Sequence, residues 1–395
     1  MRINLHNSNH SLNSKNENSK LSAVIHFLSR FEWIQIFAII SLATIGLIFI
    51  YSTGLQRDSD AEFKKQIIWL SLGFITFISL SFFEVKLFKY GSLPFYLFVL
   101  SLLIIVLIPG IGLKIYGARR WLDLKIMRLQ PSELAKISTL LMLSWVMSLE
   151  WFNINKFKCL MIAGAIVGLP FSLIVIEPDL GSSLVLIPVA IFVIFVAGYR
   201  WRNIIIISIL GIILSLGGII NEVYQIKPLL KGYQRERVAV FLNPERDKLG
   251  RGWNQMQAKN AMGSGGLTGK GVGKGTINTL GYLPKTVSNN DFIFSVIGEE
   301  LGFLGSAYLV FMYILLIIST IRIALCASEP FGVYFAIGVL GIILIHSFVN
   351  MGMSIGICPV TGLPLPLVSY GGSFMLSSMI MFGMLQSIYA HRKRD

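Results

Sequence analysis

The sequence predicts an all-α, polytopic membrane protein with ten transmembrane helices and one long extracytoplasmic loop. Three observations predict it. The chain of 395 residues is 54% hydrophobic and its mean hydropathy is +0.70, well above the range of a soluble globular chain. Apolar runs close to the ~20 residues needed to cross hydrocarbon recur along most of its length. Only residues 221–290 form a long, weakly hydrophobic stretch rich in Gly, Lys and Arg.

Taken in order, residues 1–31 are polar and rich in Asn and Ser ("NLHNSNHSLNSKNENSK") and read as a disordered cytoplasmic tail. They have neither the apolar core nor the small-residue cleavage site of a secretory signal. Spans are expected at 32–52, 66–83, 92–109, 131–149, 157–176, 182–198, 203–220, 292–320, 331–355 and 367–390, so residues 32–395 read as one membrane domain. Pro and Gly interruptions at "EPDLGSS" and "CPVTGLPLPLVSYGGS" are tolerated at membrane depth where backbone lines a cavity or is buried in protein. Cys159, Cys326 and Cys358 are unrelated in spacing and the five histidines lie far apart, which gives neither a disulfide framework nor a zinc site.

Ten spans put both termini on one side, and "HRKRD" at the end with Lys15, Lys20 and Arg30 at the start makes that side cytoplasmic. Two outer loops then break the positive-inside tendency. Residues 110–130 carry Lys114, Arg119, Arg120, Lys125 and Arg128, and residues 221–290 carry eleven Lys and Arg. Long loops translocate whatever their charge, which accounts for the second but not the first. An outer face that must hold an anion, such as a lipid headgroup or a lipid diphosphate, accounts for both. Nothing points to nucleic acid.

Several ionisable residues carry two readings each. In "RLQPSELAK", Pro131 opens a helix and Glu133 suits the third position, where a carboxylate reaches back to free N–H groups. Lys136 lies one turn on, as an ion-pair partner or a substrate contact. Arg120 and Arg128 have the fork that grips phosphate bidentately. Asp179 can cap the next helix, whereas Glu177 has no such structural role in the sequence, and an acid at membrane depth is a functional candidate. "GSGGLTGKGVGKG" fails the phosphate-loop pattern, because Ser264 and Gly271 stand where Gly and Ser or Thr are needed; Lys270 and Lys274 are still available to anions. "GWNQMQAKNAMGS" reads as a short helix on the membrane surface, with Trp253 at headgroup level.

Asp291, in "SNNDFIFSVIGEELG", stands at the water boundary of a spanning run, as an N-cap or as a catalytic acid. On a helix Glu299 is turned about 80° from it and lies ~12 Å deeper, and Glu300 faces away, so the three cannot form a close carboxylate pair. Pairing with other spans is expected for the two glutamates.

Five stretches in order, "RWLDLKIMRLQPSELAK", "EPDLGSS", "QRERVAVFLNPERDKLGRGWNQMQAKNAMGSGGLTGKG", "GYLPKTVSNNDFIFSVIGEELGFLG" and "TGLPLPLVSYGGS", together resemble the SEDS family (shape, elongation, division and sporulation). The arrangement "AMGSGGLTGKG" is nearer its rod-shape branch than its division branch. The resemblance implies a ten-span bacterial inner-membrane peptidoglycan glycosyltransferase that polymerises lipid II during elongation and shape maintenance. It would act beside a class B penicillin-binding protein and other elongation-complex membrane proteins. It also implies that Asp291 is the catalytic carboxylate, here the base on the acceptor hydroxyl. Arg120, Arg128, Glu133, Lys136 and Asp179 are functionally sensitive by the same resemblance. Glu177, Lys270 and, in the last motif, Ser369 and Tyr370 complete the expected substrate-binding set. One departure is visible: the family commonly has His-Thr before the aspartate, and this chain has Asn289-Asn290. A divalent cation such as Mg²⁺ bridging the diphosphate is compatible with this chemistry, although no ligand cluster in the sequence demonstrates it. A transporter of lipid-linked precursors and a scaffold for a transpeptidase are the rival readings.

Overall fold

The computed structural model describes residues 29–55, 61–115, 118–123, 125, 128–206, 209–211, 213, 217, 237, 239–241, 243, 247 and 250–392. Three helices open the fold: α1 (Trp33–Gly54), α2 (Ala61–Phe82) and α3 (Val85–Leu107). The first outer loop folds into a small antiparallel sheet, β1 (Gly112–Ile115), β2 (Ala118–Asp123) and β3 (Arg128–Leu129), ordered β1-β2-β3 with Lys114 opposite Arg119. The hydropathy pattern gave no warning of this sheet, because strands of two to six residues bury too little to leave an apolar alternation.

Helices α4 (Pro131–Met147), α5 (Phe157–Ile176) and α6 (Leu180–Val196) follow. Within residues 221–290 lies α7 (Arg251–Ser264), followed by the long α8 (Ile293–Cys326), α9 (Pro330–Ile355) and α10 (Gly372–Ala390). Among the described residues, seven helices are long and apolar enough to cross a membrane: α1, α2, α3, α5, α8, α9 and α10. α4 and α6 have 17 residues each. Half of the expected span at 203–220 and nearly all of the polar tail lie outside the described residues.

Packing puts the polar helix at the centre. α4 buries Glu133, Lys136, Ser138, Thr139 and Ser144 against α3, α9, α5 and α6, where lipid cannot reach them. The outer helices turn Ile68, Ile75, Leu97, Phe98 and Phe303 outward, which is the surface expected to meet acyl chains. The segment between α9 and α10 is not helical, yet Leu363, Leu365, Leu367 and Val368 are buried in it. α1 passes close against it at Gly46, where an added Cβ would lie 2.7 Å from the Val368 carbonyl oxygen.

At ~1.5 Å per residue, the 34 residues of α8 exceed the ~30 Å hydrocarbon core, so the helix cannot lie wholly in lipid. Its helical geometry breaks at Gly302, with φ +67° and ψ −158°, a conformation that L side chains avoid. There the glycine-rich segment docks by backbone pairing. Lys270 and Gly271 donate to the carbonyls of Glu299 and Glu300, and Phe303 and Leu304 donate to those of Gly266 and Leu267. A Cβ on Gly269 would lie 2.2 Å from the Glu300 carbonyl oxygen, so the approach requires glycine.

That docking explains two of the three carboxylates near the start of α8. Glu299 accepts from Lys270 Nζ at 2.7 Å, Thr276 Oγ1 at 3.0 Å and Ile277 N at 2.9 Å. Glu300 accepts from Ser52 Oγ of α1 at 2.6 Å and Gly273 N at 2.9 Å. A buried carboxylate is tolerated when it is fully hydrogen-bonded, and these two fasten the loop to the membrane domain. Lys270, expected among the diphosphate cations, is engaged here instead.

Candidate active site

Asp291 is the remaining carboxylate, and it does not cap α8. The N-cap position is Phe292, and no side chain caps that end. Its backbone is held from three sides instead. Asn350 Nδ2 of α9 donates to the Asp291 carbonyl at 3.0 Å, Ser369 Oγ to the Asn290 carbonyl at 2.6 Å, and Tyr370 N to the Asn289 carbonyl at 2.9 Å. Asn289, which stands in the family's His-Thr pair, donates through Nδ2 to Glu62 Oε2 at 2.7 Å. The hydroxyl hydrogen of Ser369 is thus committed to the turn that presents Asp291.

The Asp291 side chain is partly exposed and faces the guanidiniums of Arg237 and Arg251. Burial pushes its pKa up to about 6, and the two arginines hold it below where burial alone would put it. A carboxylate in that range is ionised at neutral pH yet basic enough to take a proton.

Arg237 lies where several charges meet. Its Nη1 donates to the Thr361 carbonyl at 3.2 Å, and its buried Nε has no hydrogen-bond partner among the described residues. Burial lowers its pKa to about 10, helped by Arg251 and Arg120 and opposed by Asp179 and Asp291, so it stays charged. Arg251, the first residue of α7, also has a buried nitrogen, Nη1, with no hydrogen-bond partner among the described residues. Unpartnered guanidinium nitrogens beside an acid are suited to an anion that carries its own oxygens.

The expected Arg120 is close to this group. Its Nε donates to the Glu177 carbonyl at 3.3 Å, a second nitrogen to the Pro178 carbonyl, and Nη1 is 3.9 Å from Asp179 Oδ1. Asp179 does cap α6, accepting from Ser182 N at 3.3 Å, and it also accepts from Gln130 Nε2 and Ser132 Oγ at 3.0 and 3.2 Å. Both sequence readings of Asp179 therefore have a geometric counterpart, and it links β2, α4 and α6 behind Arg120.

Glu177 is wholly buried and neither carboxyl oxygen has a hydrogen-bond partner among the described residues. Burial raises its pKa to about 9, with Asp179 adding to the rise and Arg120 opposing it, so it is neutral at pH 7. The folded value lies above the ordinary 4.5, so the stability it permits at low pH is lost as pH climbs from about 4.5 towards 9. Glu177→Gln is expected to escape that loss and to stabilise the protein at pH 7 by on the order of 1–3 kcal/mol. Thermal unfolding of the two proteins checks this: the curves should coincide near the acid end and separate as pH rises.

The other expected site residues are distributed around this centre. Arg128 is exposed on β3 and, with Glu62, faces the Tyr370 ring. Glu133 does not reach back to the start of α4. It accepts from Lys136 Nζ at 2.9 Å and from Ser377 Oγ of α10 at 3.3 Å, because a buried ammonium outcompetes the backbone for its charge. Lys136 is buried and fully engaged. Arg237 and Arg251 were missed as individual residues, although the loop's preference for Arg at 235, 237, 246 and 251 was a usable signal.

Among the described residues no three His, Cys, Asp or Glu side chains gather as metal ligands do. Asp179 is taken up by three donors and Asp291 faces two guanidiniums, a poor fit to a divalent cation.

Comparison with known proteins agrees with this architecture. Residues 33–394 match the model of the cell cycle protein family FTSW_RODA_SPOVE. The chain is 38% identical over 330 residues to the peptidoglycan glycosyltransferase MrdB of Escherichia coli K12, covering 84% of this chain and 86% of that one. It is 31% identical to the peptidoglycan glycosyltransferase RodA of Treponema pallidum, covering 93% and 99%. Among solved structures, one from work on the coordination of polymerization and crosslinking by a peptidoglycan synthase complex aligns with a TM-score of 0.77 at 28% identity, covering 92% of this chain and 99% of that one. The rod shape determining protein RodA of Thermus thermophilus aligns at 0.67 and 26%, covering 92% and 98%. With nearly the whole chain matched, the chain belongs to the FtsW/RodA/SpoVE family of membrane proteins.

Proposed function

We propose that this protein is a peptidoglycan glycosyltransferase that polymerises lipid II, the disaccharide-peptide carried on a polyprenyl diphosphate. The observation that carries the mechanism is the Asp291 carboxylate, engaged by no hydrogen bond among the described residues, facing Arg237 and Arg251 with Arg120 close behind. Asp291 takes the proton from the 4-hydroxyl of the acceptor GlcNAc. That oxygen then bonds to C1 of the donor sugar as the bond from C1 to the diphosphate breaks. The electron pair leaves with the diphosphate, whose charge the guanidiniums neutralise; one well-placed donor of this kind contributes on the order of 3 kcal/mol. Arg128, at the exposed rim, guides the diphosphate towards them.

The related structure of a complex coordinating polymerization and crosslinking supports a penicillin-binding protein as partner, here a class B transpeptidase. The site then faces the outer side of a bacterial inner membrane with both termini cytoplasmic, and other elongation-complex membrane proteins join the assembly.

Purified protein given lipid II in detergent tests the reading. Glycan strands are expected, whereas a transporter makes none where no sidedness exists. The rate should rise with pH and reach half its plateau near 6, since Asp291 is raised to about 6 and only its ionised form accepts a proton. A rate that is flat across that range would show that another group is the base.

A further inference from the structure

His346 lies on α9, wholly buried, and takes no part in the chemistry described above. Its ring nitrogens face two different elements. Nε2 is 3.1 Å from Lys136 Nζ of α4, and Nδ1 is 3.0 Å from the Pro364 carbonyl oxygen in the segment between α9 and α10. An ammonium can only donate, so Nε2 accepts and the ring hydrogen sits on Nδ1, where a carbonyl accepts it. The ring stacks on Phe374 at 5.0 Å, and the same Phe374 lies 5.2 Å from the Lys136 ammonium. Lys136 is in turn fixed by Glu133 at 2.9 Å.

The carbonyl that His346 grips is the last of three held in close succession. Arg237 holds Thr361, Asn350 holds Leu363 at 2.8 Å, and His346 holds Pro364. Between the first two lies Gly362, at φ +76°, where an added Cβ would be 3.6 Å from Asp291 Oδ2. This segment is therefore a wall of the Asp291 site, and its inner end is tied to the ion pair of α4 through one imidazole.

We propose that His346 is a positioning residue for glycosyl transfer, holding the Thr361–Pro364 segment against Asp291 from α9 through its Nδ1 hydrogen, with the Lys136–Glu133 pair fixing the tautomer that puts the hydrogen there. The inference rests on the functional reading above. Arg237 and Arg251 are the charges that face Asp291, while Lys136 and Glu133 face His346 from α4. Release of the segment admits water to Asp291, relieves the desolvation that raises its pKa, and makes it a weaker base.

The test measures lipid II polymerisation by the purified full-length protein across pH, with thermal unfolding of each variant. His346→Leu is expected to lower kcat by about 10-fold with little change in KM. It should also move the acid limb of the profile down by about one pH unit from its wild-type position. His346→Asn, whose amide nitrogen stands near Nδ1, should restore most of the rate and the limb. His346→Gln, whose amide reaches towards Nε2 instead, should not. If the Leu protein does not fold, the Asn and Gln pair decides, since both are polar and uncharged. Equal behaviour of Asn and Gln, or a lost rate with an unmoved acid limb, overturns the proposal. A wild type that makes no glycan overturns the functional reading and this one with it. Active wild type, inactive Asp291→Asn and normal His346 variants overturn this one alone.

Discussion

Asp291→Asn is expected to abolish glycan polymerisation while leaving expression and partner binding intact. The amide keeps the size and shape of the side chain between Gly362 and the facing arginines, but it cannot take a proton. A positioned general base contributes roughly 10²–10⁴-fold, so kcat should fall by about three orders of magnitude. Stability should move the other way. The folded pKa is raised from 3.8 to about 6, so the fold favours the protonated acid, and the stability present below about 4 is lost as pH rises through 6. The variant carries no charge to desolvate and is expected to be more stable at neutral pH by on the order of 1–2 kcal/mol. A dead but stabilised protein is the signature of a functional acid held in an unfavourable place. Polymerisation near the wild-type rate would remove Asp291 as the base.

The second large effect is expected at Arg237. Its alanine variant should lose roughly 10²–10³ in kcat, since a guanidinium with a free buried nitrogen beside the reacting acid is placed to meet the charge that develops on the diphosphate. Arg237→Lys should recover little, because a point charge on a flexible stem neither reaches the Thr361 carbonyl in the same geometry nor offers a planar fork. The pH profile supplies an independent check. Arg237 holds the Asp291 pKa down, so its removal should move the acid limb upward, the reverse of the shift expected for His346→Leu. An Arg237→Ala protein with unchanged kcat and an unmoved limb would exclude it from the site.

The acid at the water boundary and the arginines facing it explain why the outer loops carry so much positive charge. Arg120 comes from the short first loop and Arg237 and Arg251 from the long second one; Arg237 interacts with the charges of both other arginines and of Asp179 and Asp291.

The helical membrane architecture, a helix at 251–264 and the placement of Asp291 just before a spanning helix were legible in the sequence. Hydropathy integrated over ~20 residues is a local property, and lipid leaves a chain few alternatives to helix, so such features need no knowledge of distant contacts. The motifs that carry the family resemblance are also local strings. What only the tertiary structure decided is which charges meet. Lys270 pairs with Glu299, Lys136 with Glu133 and His346, and Asp291 faces Arg237 and Arg251. Charge pairing follows distance and desolvation, both of which are set by how helices far apart in sequence pack, and a one-dimensional pattern carries neither.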